Sequence, residues 1–259
     1  MTTRIDEPFF PEGAAIVVGG SGGIGREICR CLADLGADVA LTYRNNADAA
    51  AQVQNMIEQS GRKAYTGALN VADGEATKAF IDAVAEQFSR VHTVVFASGA
   101  NFRLAYLADI DPDEWARTIT GDLTGFFNVT KAAIPHLRKG GGGSFVALTS
   151  AALVRHSPKD ILSTAPKAGI EALIRAIARE EGRFNIRANA VAVGAIDGGL
   201  MDRVWEQVSP EFGQAMRSNT SLKRLGTPRE VADATVYLAS SRASFITGQS
   251  LTLDGGYSV

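Results

Sequence analysis

Ala14-Ala15-Ile16-Val17-Val18 runs without a break into Gly19-Gly20-Ser21-Gly22-Gly23-Ile24-Gly25. Five apolar residues ahead of a turn have the length of a strand, and a strand buried on both faces reads as a continuous apolar run. Behind the glycines, Ile24, Ile28, Leu32 and Leu35 repeat at helical spacing and stop at Gly36, a residue suited to the left-handed turn past a helix end. Strand, glycine loop and helix, in that order, present backbone N–H groups and the positive end of a helix dipole to a phosphate. Glycines alone often mark only a tight turn. Here they open a strand–helix–strand unit, which implies a pyrophosphate held by Gly19, Ser21, Gly23, Ile24 and Gly25.

The alternation continues along the chain. Strands are predicted at 39–43, 64–69, 93–97, 145–148, 187–193 and 250–253, and helices at 47–59, 74–88, 112–137, within 163–181 and at 228–238. This predicts an α/β fold, a single doubly wound (Rossmann-type) parallel sheet with helices on both faces, and a ligand site at the carboxyl ends of the strands. The four glycines 140–143 read as a helix-to-strand loop, so residues 1–259 are expected to form one domain. Twenty-six basic residues against 28 acidic ones give a formal charge of −2, which removes the bulk-charge case for a nucleic-acid partner or a polybasic membrane surface. No apolar run approaches the roughly 18 residues of a membrane span, and residues 1–12 lack the pattern of a signal peptide. The two cysteines, Cys29 and Cys31, face apart if helical, and the histidines are scattered, so neither a disulfide nor a metal site is expected. A cytoplasmic protein with a small-molecule substrate is the expectation.

The second strand ends at Thr42-Tyr43-Arg44. An enzyme using NAD often places an acid there to bond the ribose 2′-hydroxyl. No acid is present, and a guanidinium suits a 2′-phosphate, so NADP(H) is the expected cofactor, with Tyr43 and Arg44 in contact with it. A single Arg more often only faces solvent; the missing acid favours the phosphate reading.

Over nearly its whole length the chain resembles the short-chain dehydrogenase/reductases. Gly19, Gly23 and Gly25 match the family's T-G-x3-G-x-G, with Val18 in place of Thr. Asn70-Val71 stands where the family has Asp-Val at the adenine. Asn189-Ala190-Val191-Ala192-Val193-Gly194 resembles N-A-V-x-P-G, with Val193 for Pro. The stretches 224–232, Arg-Leu-Gly-Thr-Pro-Arg-Glu-Val-Ala, and 246–256 are typical of the family too. The resemblance implies cofactor contacts from Asn70, Val71, Ser98, Gly99, Lys167, Gly194 and Ile196.

The family's catalytic Asn, Ser, Tyr and Lys carry over unevenly. Ser150 matches the Ser, and Lys167, in Lys167-Ala168-Gly169, matches the Lys. Four residues before Lys167 stands Ser163, not Tyr, and the Asn position is Asp122. The family's N-N-A-G reads Phe96-Ala97-Ser98-Gly99. A Ser hydroxyl is a far weaker acid than a phenol and sits on a shorter arm, so Ser163 does not simply replace the Tyr. Asp122 has two readings, a near-isostere keeping the hydrogen bonds of Asn, or a proton donor or charge partner for Lys167. Pro166 places the helix start at about 163–164, or distorts it there.

What the resemblance implies is an NADP(H)-dependent oxidoreductase, resembling bacterial 3-oxoacyl-carrier-protein reductases. Asp122 with the missing Tyr also resembles the peroxisome-type 2,4-dienoyl-CoA reductases. A third possibility is a protein that binds the dinucleotide without turnover. The family is usually tetrameric, and the apolar end at Leu251, Leu253, Tyr257 and Val259 suits a partner subunit, though it also suits the chain's own core. Residues 198–220 are expected to form a variable lid over the substrate.

Overall fold

The computed structural model describes residues 8–99, 101–198 and 209–259. Among these residues seven strands form one sheet, in the order β3-β2-β1-β4-β5-β6-β7, with every neighbouring pair parallel. They are β1 (Ala14–Val18), β2 (Asp38–Tyr43), β3 (Ala64–Ala68), β4 (Val91–Phe96), β5 (Gly143–Ser150), β6 (Ile186–Val193) and β7 (Ser250–Leu253). The helices between them are α1 (Gly23–Asp34), α2 (Ala47–Gln59), α3 (Gly74–Phe88), α4 (Pro112–Ile119), α5 (Gly125–Lys139), α6 (Ile161–Glu181), α7 (Pro210–Asn219) and α8 (Pro228–Ala239).

The side chains of β1 show how the layers form. Ala15 and Val17 point into a core shared with Ile28 and Leu32 of α1 and with Val231 and Val236 of α8. Ala14, Ile16 and Val18 point the other way, toward Ile81 of α3, Phe126 of α5 and Ile170 of α6. All five are buried, and a fully buried aliphatic side chain contributes about 1.5–3 kcal/mol. Two cores on opposite faces of one parallel sheet are the doubly wound arrangement the apolar runs imply. Strand order reverses between β1 and β4, so the loops leaving these two strands flank the switch point.

Two local expectations gain detail. The helical region predicted over 112–137 runs without interruption from Pro112 to Lys139, with a π turn at Thr120–Thr124 joining α4 to α5. One extra residue in a turn shifts the apolar stripe around the helix without erasing it, which is why the pattern does not reveal it. The other concerns α6, which begins at Ile161, so Pro166 is its sixth residue and lies beyond the first turn. The helix runs on through the proline without the amide that would have reached the Leu162 carbonyl, at the cost such a loss entails. Of the expected lid, positions 199–208 lie outside the described residues, and Pro210–Asn219 is the helix α7.

At the far edge, Leu251 and Val259 are exposed, as is Phe245 before β7. Tyr257 is held within the chain. Arg155 donates to its carbonyl at 2.8 Å and stacks over its ring at 4.9 Å, and its hydroxyl lies 3.1 Å from that of Ser157.

Candidate active site

The glycine loop is packed backbone against backbone. Gly19 turns with φ +82°, and a Cβ there would lie 3.0 Å from the Ser98 amide nitrogen. A Cβ on Gly25 would run into the Gly19 carbonyl. Helix α1 follows, with no side chain capping its N-terminus and no acidic residue in its first turn, so its leading amides are left for a ligand. Thr42 fastens the loop from the side, its hydroxyl accepting the Gly19 amide at 3.0 Å. This loop, whose leading helix amides are capped by no side chain, fits a dinucleotide pyrophosphate.

The other expected cofactor residues ring the same edge of the sheet. Tyr43 ends β2 and Arg44 follows, exposed and paired with no carboxylate among the described residues. Asn70 and Val71 follow β3; the Val71 carbonyl accepts the Asn128 side-chain amide at 2.9 Å, which pins this turn to α5. Ser98 and Gly99 leave β4 opposite the glycine loop. Gly194 leaves β6, its amide donating to Leu253 at 2.9 Å, and Ile196 is buried, bridged to Gly226.

The π turn places Asp122 in the interior, 3% exposed. From α6, Lys167, also buried, brings its Nζ to 3.1 Å from Asp122 Oδ2 and donates to the Ser98 carbonyl at 3.2 Å. The ammonium also lies 5.7 Å from the centre of the Phe96 ring. Asp122, Ser98 and Lys167 thus meet, one each from the π turn, the β4 loop and α6. Ser150 ends β5, its hydroxyl accepting the Ala152 amide at 3.2 Å and so starting the short helical turn behind it. Ser163 lies one turn before Lys167 on α6, and its hydroxyl meets no partner among the described residues.

The family model described as "Enoyl-(Acyl carrier protein) reductase" matches residues 18–258, nearly the whole chain. The chain is a short-chain dehydrogenase/reductase. It is 32% identical to the 3-oxoacyl-[acyl-carrier-protein] reductase of Chlamydia trachomatis over 93% of this chain and 96% of the relative. To the 7alpha-hydroxysteroid dehydrogenase of Escherichia coli it is 31% identical, over 93% of this chain and 92% of the relative. Carveol dehydrogenase from Mycobacterium avium, solved in complex with NAD, superposes with a TM-score of 0.90 at 26% identity, covering 97% of this chain and 99% of that one. This short-chain dehydrogenase/reductase therefore belongs among oxidoreductases that work with a nicotinamide cofactor. Among the described residues no helix is long and apolar enough to cross a membrane, and no three metal-ligating side chains gather.

Three residues that the structure singles out escaped the sequence reading of this short-chain dehydrogenase/reductase. Thr42 had a signal, one hydroxyl in an otherwise apolar strand. Asn128 had a weaker one, an amide between the apolar positions of α5. The third, Asp160, precedes a helix, where an Asp ordinarily reads as a cap.

Proposed function

We propose that the protein is an NADP(H)-dependent reductase acting on a carbonyl, with 3-oxoacyl thioesters as the first substrate class. The observation that carries this reading is Lys167, buried at the switch point within reach of the loop that faces the glycine cradle. In this reading the amides of Gly19, Ser21, Gly23, Ile24 and Gly25 hold the pyrophosphate, Arg44 meets the 2′-phosphate beside Tyr43, and Asn70 and Val71 border the adenine. Ser98, Gly99, Gly194, Ile196 and Lys167 line the nicotinamide end. When bound, the cofactor supplies hydride to the substrate carbon. Ser150 orients the substrate oxygen, and Asp122 holds Lys167 in place as its ion-pair partner. Relatives named as a 3-oxoacyl reductase and a hydroxysteroid dehydrogenase support carbonyl chemistry.

Asp122 together with Ser163, and the description of the matching family model, favour a second reading, reduction of an enoyl or 2,4-dienoyl thioester. Loss of NADPH absorbance with 3-oxoacyl and 2,4-dienoyl thioesters, run side by side, decides between them. No turnover of either refutes both and leaves a silent dinucleotide binder. We further propose a single cooperative domain and a homotetramer in the cytoplasm, the apolar edge at Phe245, Leu251 and Val259 packing against a partner. Light scattering of a monomer at micromolar concentration would overturn the assembly.

A further inference from the structure

Asp160 occupies the N-cap of α6, yet its side chain does not cap the helix. An Asp there ordinarily accepts a bond from the second or third amide of its helix. In this chain the Ser163 and Thr164 amides go to the Asp160 backbone carbonyl, at 3.1 and 2.9 Å, and the side chain accepts none of them. Its backbone, at φ −104° and ψ 14°, leaves the extended conformation usual for a cap and enters the sparsely populated region where many active-site residues sit. The carboxyl is partly buried and meets no donor among the described residues.

The position is the notable part. Asp160, Ser163 and Lys167 are spaced by three and then four residues, which puts them on one stripe of the helix, with Ser163 about 4.5 Å further along the axis. The segment leaving Ser98-Gly99 closes over the same end, the Ala105 amide donating to the Lys159 carbonyl at 3.1 Å. Asp160 therefore directly follows the residue at which the chain leaving β4 is bonded to the chain leaving β5. Ser163, three residues on along this stripe, is a short side chain where the family carries a phenol.

Neighbouring charges are engaged elsewhere. Lys159 lies over the Tyr106 ring, Arg155 over Tyr257, Arg103 on Glu114 and Lys167 on Asp122, while His156 of the same loop is exposed. Burial alone acts on the Asp160 carboxyl and raises it to about 7.

We propose that Asp160 is the proton donor of the reaction, in place of the missing phenol; this rests on the reductase reading above. As the carbonyl carbon gains the hydride, its π pair moves onto oxygen. The Asp160 O–H bond breaks, its proton forms the new O–H bond, and its electron pair stays on the carboxylate, which takes a proton back from water.

Two measurements test this. In the first, carboxyl-carbon NMR of the protein without cofactor should show a resonance titrating near pH 7, absent from Asp160→Asn. A titration below about pH 5 overturns the proposal. In the second, kcat for a reduced thioester should fall about tenfold per pH unit above that midpoint. Asp160→Asn should lose the pH limb and about a hundredfold in kcat at pH 6, with NADPH affinity unchanged, and Asp160→Glu should restore the limb. The Asn variant should fold normally, since the carboxyl makes no capping bond. Unchanged kcat and pH dependence in Asp160→Asn overturn the proposal while the reductase reading stands. A carboxyl that titrates near 7 in a protein that reduces no thioester refutes the reductase reading and, with it, the proton role.

Discussion

Removing Asp122 should cost far more than its single ion pair suggests. The Lys167 side chain is 10% exposed and that of Asp122 4%, with 3.1 Å between their charged atoms. Asp122→Ala leaves the ammonium buried beside one carbonyl, that of Ser98 at 3.2 Å. Breaking one side of a buried pair typically costs about 3–5 kcal/mol, because an uncompensated charge stays behind. The surviving bond to Ser98 argues for the lower end, about 3 kcal/mol. At about 2–4 °C per kcal/mol for a chain of this size, the melting temperature should fall by about 6–12 °C. Asp122→Asn keeps the shape and an acceptor oxygen and should cost about 1–2 kcal/mol. Asp122→Asn combined with Lys167→Met removes both charges and should be more stable than the sum of the two single losses. Urea unfolding and thermal melts of the unaltered protein, the three single variants and the double variant measure all of this. A cost below about 1 kcal/mol for Asp122→Ala, or strict additivity in the double variant, would refute the reasoning.

Arg44→Ala should remove most of the preference for NADPH over NADH in equilibrium binding, since a charge-assisted phosphate contact is lost; equal affinities in the unaltered protein contradict the assignment. Gly25→Ala drives a Cβ into the Gly19 carbonyl, so dinucleotide binding should vanish in calorimetry while the far-ultraviolet circular dichroism persists. His92 is 2% exposed, and burial holds its imidazole down at about 4. The unfolded chain takes up that proton near pH 6.5 and the folded chain only near 4, so stability should fall as pH drops through this window. At about 1.36 kcal/mol per unit the full loss is about 3 kcal/mol, and His92→Leu should flatten the pH profile of the melting temperature between pH 7 and 5.

The parallel sheet was legible because both of its faces are buried. A strand such as β1, with Ala15 and Val17 in one core and Ile16 and Val18 in the other, leaves no polar position to break the run. The glycine loop was legible for a related reason: Gly19 and Gly25 stand where the backbone approaches too closely for any side chain. The π turn was not legible, because inserting one residue shifts the apolar stripe without erasing it. The start of α6 misled through Pro166, a helix breaker that the packed helix tolerates at its sixth position. Asp160 escaped because a cap is recognised by residue type, whereas its backbone carbonyl binds the amides and frees the side chain.

These cases separate two kinds of constraint at the site. The loop glycines and the buried Lys167 are tied to close backbone approaches and to the core, so their replacement would disturb the local structure that holds the site. The residue at 163 answers only to the chemistry in the cleft, and a Ser there costs the fold nothing that its partly buried position requires. Replacing a neutral amide by Asp122 has the opposite weight, since it puts a carboxyl group into the interior, where the Lys167 ammonium lies 3.1 Å away. The two substitutions therefore act on one balance. Asp122 binds Lys167 more firmly than a neutral amide would, the phenol that a free lysine would have assisted is gone, and in the proposal above the proton comes from a group outside that pair. On α6 the group on the same stripe, carrying no partner of its own, is Asp160.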